Sequence, residues 1–185
     1  ADTTEVGCWQ HASDYVKMLK VVYPQVKLMH PKITIMNGGL VDLGDWAHEF
    51  ITSGVKYVDA LAYHAYDYIH AGNPMWDGAS DPVYPANYLK RLNLIRSWLA
   101  DSDKPEVPIF MNEGAAIAGK PAPSDDDLKR VQAYFAAFMT AQMIGEKLEQ
   151  YSWWVSYGMP SSYGTSITDG DPYYYVTNTL HTALA

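Results

Sequence analysis

Two spacings of apolar residues alternate along the chain, a helical one of three to four and a strand-like one of two. Tyr15, Met18, Leu19 and Val22 predict a helix over 14–23, with Ser13 as its N-cap. A short β-branched strand follows at 33–36 and ends on Asn37-Gly38-Gly39. A second helix is expected over 45–53, capped by Gly54, and a strand over 58–64. The stretch 66–85, rich in Gly, Pro, Asp and aromatic residues, has the composition of a long loop. Tyr88, Leu92, Ile95 and Leu99 share one face of a helix over 86–100. The apolar run 107–111 reads as a strand leading into Asn112-Glu113-Gly114. Ser124 and three successive Asp residues suit the positive N-terminal end of a long helix over 125–145. A last strand at 151–155 and a closing helix at 173–184 complete the pattern.

Strands alternating with helices predict an α/β fold with a parallel sheet wrapped by helices. Polar and aromatic residues gather just after the strands, at Asn37, His64, Glu113 and Trp153/Trp154. Barrel enzymes and open α/β sheets both place their sites at those strand ends. No low-complexity tract or linker divides the sequence, so one domain is expected over 1–185. Four strand–helix units are visible, half of the eight in a (β/α)8 TIM barrel, whose full length is about 250 residues.

Composition narrows the function classes. A net charge of −8 disfavours nucleic-acid and anionic-membrane surfaces, which want clustered Lys and Arg. No apolar run approaches the ~18 residues of a membrane span. Fifteen Tyr and six Trp against four Phe make the aromatic set mostly amphipathic, suited either to a Tyr-rich core or to flat, hydroxyl-bearing ligands. The lone Cys8 rules out an intrachain disulfide and a cysteine metal cluster. Six histidines show no His-x3-His or His-Glu-x-x-His spacing, and only His64, Asp67 and His70 cluster locally. Neither a metal nor a cofactor is called for, and Gly-rich phosphate loops and a Gly-x-Ser-x-Gly elbow are missing. The first residues, Ala1-Asp2-Thr3-Thr4, carry no initiator Met, basic region or apolar core of a signal. The chain is therefore expected to start internally. No compartment follows, with secretion, its signal lying outside this chain, kept open.

Three strand ends carry candidate chemistry. An apolar strand ending on Glu113-Gly114 would aim a carboxylate into a cavity, although a Glu in this place serves equally to cap a loop. His64-Ala65-Tyr66 puts an imidazole and a phenol on one side of a strand, a pair that is also common as a mutual hydrogen bond. Tyr151-Ser152-Trp153-Trp154 sets two adjacent indoles where alternation sends one to the core and one to a ligand.

In this order, His-x-Tyr, Glu-Gly and Trp resemble the last strands of the clan A retaining glycoside hydrolases, which are (β/α)8 barrels. The segment from Tyr15 to Tyr66 is similar to the fourth helix through sixth strand of β-xylosidase-like and cellulase-like members, and the likeness covers nearly the whole chain. The resemblance implies Glu113 as the nucleophile. It implies Glu5 as the acid/base, followed by Trp9, with Thr4 standing where the clan prefers Asn. It further implies that Tyr66 holds the nucleophile ionised and that His64 binds a sugar hydroxyl. Trp153 or Trp154 would floor the sugar, with Asn37 and Trp76 extending the cleft. The implied reaction is hydrolysis of a β-glycosidic bond with retention, which needs two carboxyl groups ~5–5.5 Å apart. One ionised group traps an oxocarbenium-like centre while the other donates and later accepts a proton.

A half-barrel would leave open sheet edges and an uncovered inner face, so a homodimer or a complementing N-terminal half-barrel is expected as partner, with an oligo- or polysaccharide as substrate. Two further readings belong to other classes: a non-catalytic carbohydrate-binding half-barrel, and one piece of a split enzyme that is inactive alone.

Overall fold

The structure, a computed structural model, describes residues 11–41, 43–69 and 83–118. Beyond them it describes 129, 133, 137, 140–141, 144–148, 150–151, 156–157 and 166–167. The expected element at 173–184, and residues 152–155 and 70–82 of the expected last strand and long loop, lie outside these residues. The chain divides into two units. One comprises Ala1–His64, Leu89–Asn112 and Leu148–Gln150; the other comprises Ala65–Tyr88, Glu113–Lys147 and Tyr151–Ala185.

In the first unit, helix α1 spans Ala12–Met29 and is longer at both ends than its apolar spacing predicts. Ser13 falls inside the first turn, and His11, in extended backbone, takes the N-cap place without a side-chain cap. The helix also continues through Pro24, whose missing N–H and ring clash cost roughly 3 kcal/mol in a helix interior. The reason lies in the residue just before it and the one a turn beyond. Tyr23 donates to Asp59 Oδ1 at 2.8 Å and Lys27 donates to Asp59 Oδ2 at 2.9 Å, so both flanks of the proline are tied to one carboxylate. Lys27 also donates to the Ile33 carbonyl at 2.8 Å. Tertiary bonds thus outweigh local propensity.

The predicted strand at 33–36 is reduced to bridges. Met36 pairs in parallel with Ala60, and Leu40 pairs in parallel with Tyr63. Between these bridges the 36–40 segment advances one residue more than its partner, the mark of a bulge. Helix α2, Asp45–Gly54, buries Ala47, Phe50, Ile51 and Gly54, as its spacing demands. Gly54 does not adopt the left-handed cap expected of it: its φ is −113°, and a 3₁₀ turn continues over Val55–Tyr57. What requires glycine there is α1, since a Cβ would stand 2.5 Å from Val16 Cγ2.

Strand β1, Leu61–Ile69, begins three residues later than expected, after Val58, Asp59 and the Ala60 bridge. Helix α3, Val83–Ala100, buries Leu92, Ile95 and Leu99 on the predicted face. Strand β2, Ile109–Ala118, runs past the expected end at Met111 and is tied to β1 where Leu61 N–H donates to the Pro108 carbonyl at 2.9 Å. A short β3, Gln150–Tyr151, completes a sheet of order β1–β2–β3. The core collects Leu40, Phe50, Ile51, Leu61, Tyr63, Leu92, Ile95 and Met111, each shut off from solvent. At about 1.5–3 kcal/mol per large side chain, their burial is the main force holding sheet and helices together.

In the second unit, residues 129, 133, 137, 140, 141, 144 and 145 are helical within the predicted 125–145 span. Lys147, at φ 55°, takes the left-handed conformation just beyond it. Strands β4, Ser156–Tyr157, and β5, Ser166–Ile167, pair in parallel. Among the described residues no helix is long and apolar enough to cross a membrane.

Candidate active site

In the first unit, His64 of β1 and Asn112 of β2 approach the Asn37-Gly38-Gly39 segment. Asn37 is buried, and its side chain repairs the bulge left by the backbone. Its Oδ1 accepts from Ala62 N–H at 2.8 Å, while its Nδ2 donates to the Ala62 carbonyl at 2.9 Å and to the Gly38 carbonyl at 2.5 Å. The amide therefore does the work of a peptide group in the ladder. Asn37, expected at the ligand, is engaged with the sheet itself.

The turn is held from the helix side as well. Gly38 N–H donates to the Tyr15 hydroxyl at 3.3 Å. Tyr15 packs against Trp46 at 5.6 Å and Phe50 at 5.4 Å between ring centroids, and Trp46 stacks on Phe50 at 5.8 Å. Burial raises the Tyr15 phenol above its usual range, against the opposing effect of the Gly38 N–H, so it stays neutral and can accept that bond. Three rings from α1 and α2 thus fix the height of the loop.

Gly39 comes next, and there the packing is closest. A Cβ on it would fall inside the van der Waals envelope of His64 Nε2 and Cδ2, and would lie 2.9 Å from Asn112 Oδ1. His64, half-buried, is fixed on β1 by its own N–H donating to the Leu40 carbonyl at 2.9 Å. Asn112 is exposed, on β2. An imidazole and a carboxamide therefore meet above a backbone that has no side chain to hold them apart. Both carry donor and acceptor positions, which suits an uncharged partner that also donates and accepts.

Glu113 follows Asn112 on β2 and is half-buried. The backbone of Tyr66 lies in β1, two residues beyond His64, and its side chain is outside the described set. Glu5, Trp9, Trp76, Trp153 and Trp154 also fall outside the described residues. Among the described residues no three His, Cys, Asp or Glu side chains gather as a metal site would need.

No family model matches the sequence, and no curated protein matches it. Solved structures do match by shape. A monomeric β-xylosidase from Caulobacter crescentus CB15 superposes with a TM-score of 0.62 at 17% identity, over 91% of this chain and 37% of its own. An α-L-arabinofuranosidase from Thermotoga maritima gives 0.61 at 15% identity, over 89% and 34%. An endo-β-1,3-glucanase from Amycolatopsis mediterranei, in complex with laminarihexaose, gives 0.57 at 17% identity, over 89% and 64%. The chain shares its α/β fold with these enzymes over the part that superposes. The chain spans about a third of the xylosidase and of the arabinofuranosidase, and under two thirds of the glucanase.

Within that fold, spacing alone located the strands, but neither their ends nor what holds them. Asn37 was legible as a polar residue after a strand. Its use as a ladder bridge was not, because that depends on a one-residue difference between two distant segments. Gly39 and Asn112 carry little signal of their own beyond the Asn37-Gly38-Gly39 and Asn112-Glu113-Gly114 motifs they belong to. The sequence-level signal at Gly39 was a second glycine after a strand, which marks close approach as often as a turn.

Proposed function

We propose that this chain is part of a β-glycoside hydrolase, cleaving with retention, in which Glu113 is the nucleophile and Glu5 the acid/base. The observation that carries the proposal is the order of His64-x-Tyr66 on β1 and Asn112-Glu113 on β2 in a fold shared with glycoside hydrolases. Glu113 would attack the anomeric carbon as the glycosidic oxygen takes a proton from Glu5, giving a covalent glycosyl-enzyme. Glu5, now ionised, would draw the proton from water as that water displaces Glu113. His64 would bind a hydroxyl, Tyr66 would hold the nucleophile, and Trp9, Trp76, Trp153 and Trp154 would supply apolar faces. Asn37 would act through the loop it fixes rather than at the sugar.

This mechanism makes a structural demand. Strict alternation sends Asn112 and Glu113 to opposite faces of β2, so a bulge within the strand would have to bring the carboxylate round to the ligand side.

We further propose that the chain is a half-barrel, its remaining strands supplied by a second copy or by a separate N-terminal half. The four strand–helix units read from the sequence support this arrangement, and the alternative of one piece of a split enzyme, inactive alone, stands beside it. The test is incubation with a panel of 2-deoxy-2-fluoro-glycosides, followed by intact mass and peptide mapping, with light scattering on the same sample. One label on Glu113 is expected. Label on another residue, or none with any sugar once a complementing half is present, removes the proposal; a clean monomer removes self-pairing.

A further inference from the structure

We propose that Asn112 is a second hydroxyl ligand beside the His64 of the reading above, and that Gly39 is the residue that lets the two stand together in one corner. The inference rests on the glycoside hydrolase reading for its ligand class, though not on Glu113 or on turnover.

Geometry comes first. Gly39 is constrained by its neighbours: the position its Cβ would occupy is taken by the edge of the His64 ring, with Asn112 Oδ1 2.9 Å away. Ring edge and carboxamide are thus both adjacent to one point. A single hydroxyl oxygen at ordinary bonding distance, ~2.8 Å, can reach both. Any side chain at residue 39 would displace the imidazole and break the pair.

Chemistry selects the ligand. Neutral imidazole offers one donor and one acceptor, and a carboxamide offers two donors and an acceptor. A hydroxyl is the small group that donates and accepts at once, so it can satisfy both partners. A phosphate or carboxylate would accept only, and would want a fixed cation. No Lys or Arg belongs to the turn 37–39, to the described end of β1 at His64, or to Asn112 and its neighbours on β2. Exposure agrees: Asn112 is open to solvent and His64 half-open, as groups that meet a ligand must be. The clasp of Asn37 and the bond from Gly38 to Tyr15 hold the turn at this height, so the corner is set before a ligand arrives.

Affinity tests this without requiring catalysis. Methyl β-xyloside, methyl β-glucoside and their mono-deoxy analogues are titrated into the full-length chain and its variants by ligand-observed NMR. Gly39→Ala is expected to weaken binding about tenfold, and to add nothing in a His64→Ala background, because the clash it introduces is with that ring. Asn112→Ala should weaken binding about fivefold for sugars carrying the recognised hydroxyl, one ordinary hydrogen bond, and leave the matching deoxy sugar unaffected. Additive effects of Gly39→Ala and His64→Ala overturn the proposal, as does unchanged affinity in Asn112→Ala. If Gly39→Ala does not fold, Asn112→Ala with the deoxy series decides alone, since that side chain is exposed. Absence of any sugar binding by the folded wild type overturns it too. Binding with the expected pattern but no fluoro-glycoside label would instead sustain this corner and remove the catalytic reading.

Discussion

Asn37 grips the peptide groups of Ala62 from both sides, accepting its N–H at 2.8 Å and donating to its carbonyl at 2.9 Å. Ala62 is fully buried, so water has no access to either group once the amide is removed. Asn37→Ala would leave the buried Ala62 N–H unsatisfied, at about 1–3 kcal/mol, while the Ala62 carbonyl keeps the Leu40 N–H at 3.2 Å. A loss of about 2 kcal/mol is expected, or roughly 4–8 °C in Tm for a chain of this size. Asn37→Asp should do no better, because it sets an oxygen against the Ala62 carbonyl. Thermal denaturation with amide exchange at Ala62 measures both. Unchanged stability in Asn37→Ala would show that the bulge closes without the side chain.

Asp59 gathers Tyr23, Lys27 and the backbone N–H of Ile35 around one carboxylate. Burial pushes its pKa up, but the bonds from Ile35, Lys27 and Tyr23 and the Lys27 charge together leave it below the ordinary 3.8. The sign follows. A depressed folded-state pKa means that this carboxylate's contribution is present above the unfolded value and is lost as pH falls through the folded one. Stability should therefore decline below about pH 4, and Asp59→Asn should flatten that decline while lowering stability at pH 7. Tyr23 gives the opposite edge: burial first, then the Asp59 bond, raise it to about 12. Its contribution is complete below pH 10 and is lost as pH rises towards 12, so Tyr23→Phe should remove part of the alkaline transition. Denaturant midpoints across pH check each limb; parallel curves for wild type and Asp59→Asn would refute the account.

Gly54 reports how closely α1 and α2 approach. A Cβ there meets Val16 Cγ2 at 2.5 Å and Phe50 Cδ2 at 3.0 Å. Gly→Ala inside a helix normally gains up to about 1 kcal/mol, so the sign of the change discriminates. Gly54→Ala is expected to destabilise by about 1–3 kcal/mol through overpacking. Val16→Ala should relieve most of that in the double variant, a coupling readable from a double-mutant cycle of urea midpoints. Stabilisation by Gly54→Ala would mean that the helices can separate at no cost.

The legible parts of this molecule are those in which one element speaks for itself. Leu92, Ile95 and Leu99 bury the face their spacing predicts. His64 and Glu113 lie within β1 and β2 rather than at their ends, because both strands run on, to Ile69 and to Ala118. Pairwise features were illegible. Helix α1 outruns its apolar pattern through Pro24 because Asp59, distant in sequence, holds both flanks. Gly54 looked like a cap because single-sequence reasoning knows glycine by its backbone freedom, whereas here a neighbouring helix excludes any side chain. The strand at 33–36 shrank to a bridge because side chains take its backbone groups: Ile35 N–H donates to the Asp59 carboxylate and the Ile33 carbonyl accepts from Lys27, partners that only the fold reveals.

Glu113→Gln is the decisive substitution for the proposed chemistry. Glu113 is half-buried on β2, and glutamine keeps its shape while removing the charge that would trap the glycosyl group. Stability should change by less than about 1 kcal/mol. Turnover of an activated aryl β-glycoside by the complemented chain should fall by at least about a thousandfold, while the affinity for methyl β-xyloside stays within about twofold, since hydroxyl contacts do not depend on the nucleophile. Azide gives the more searching result. In a variant whose nucleophile has been cut back, Glu113→Gly, a small anion can occupy the vacated space and attack the sugar from the same face. It should restore cleavage of the activated glycoside and release a glycosyl azide of inverted configuration. Rescue by azide with a product of retained configuration would identify Glu113 as the acid/base instead, exchanging the roles of the two carboxylates while leaving the hydrolase reading in place.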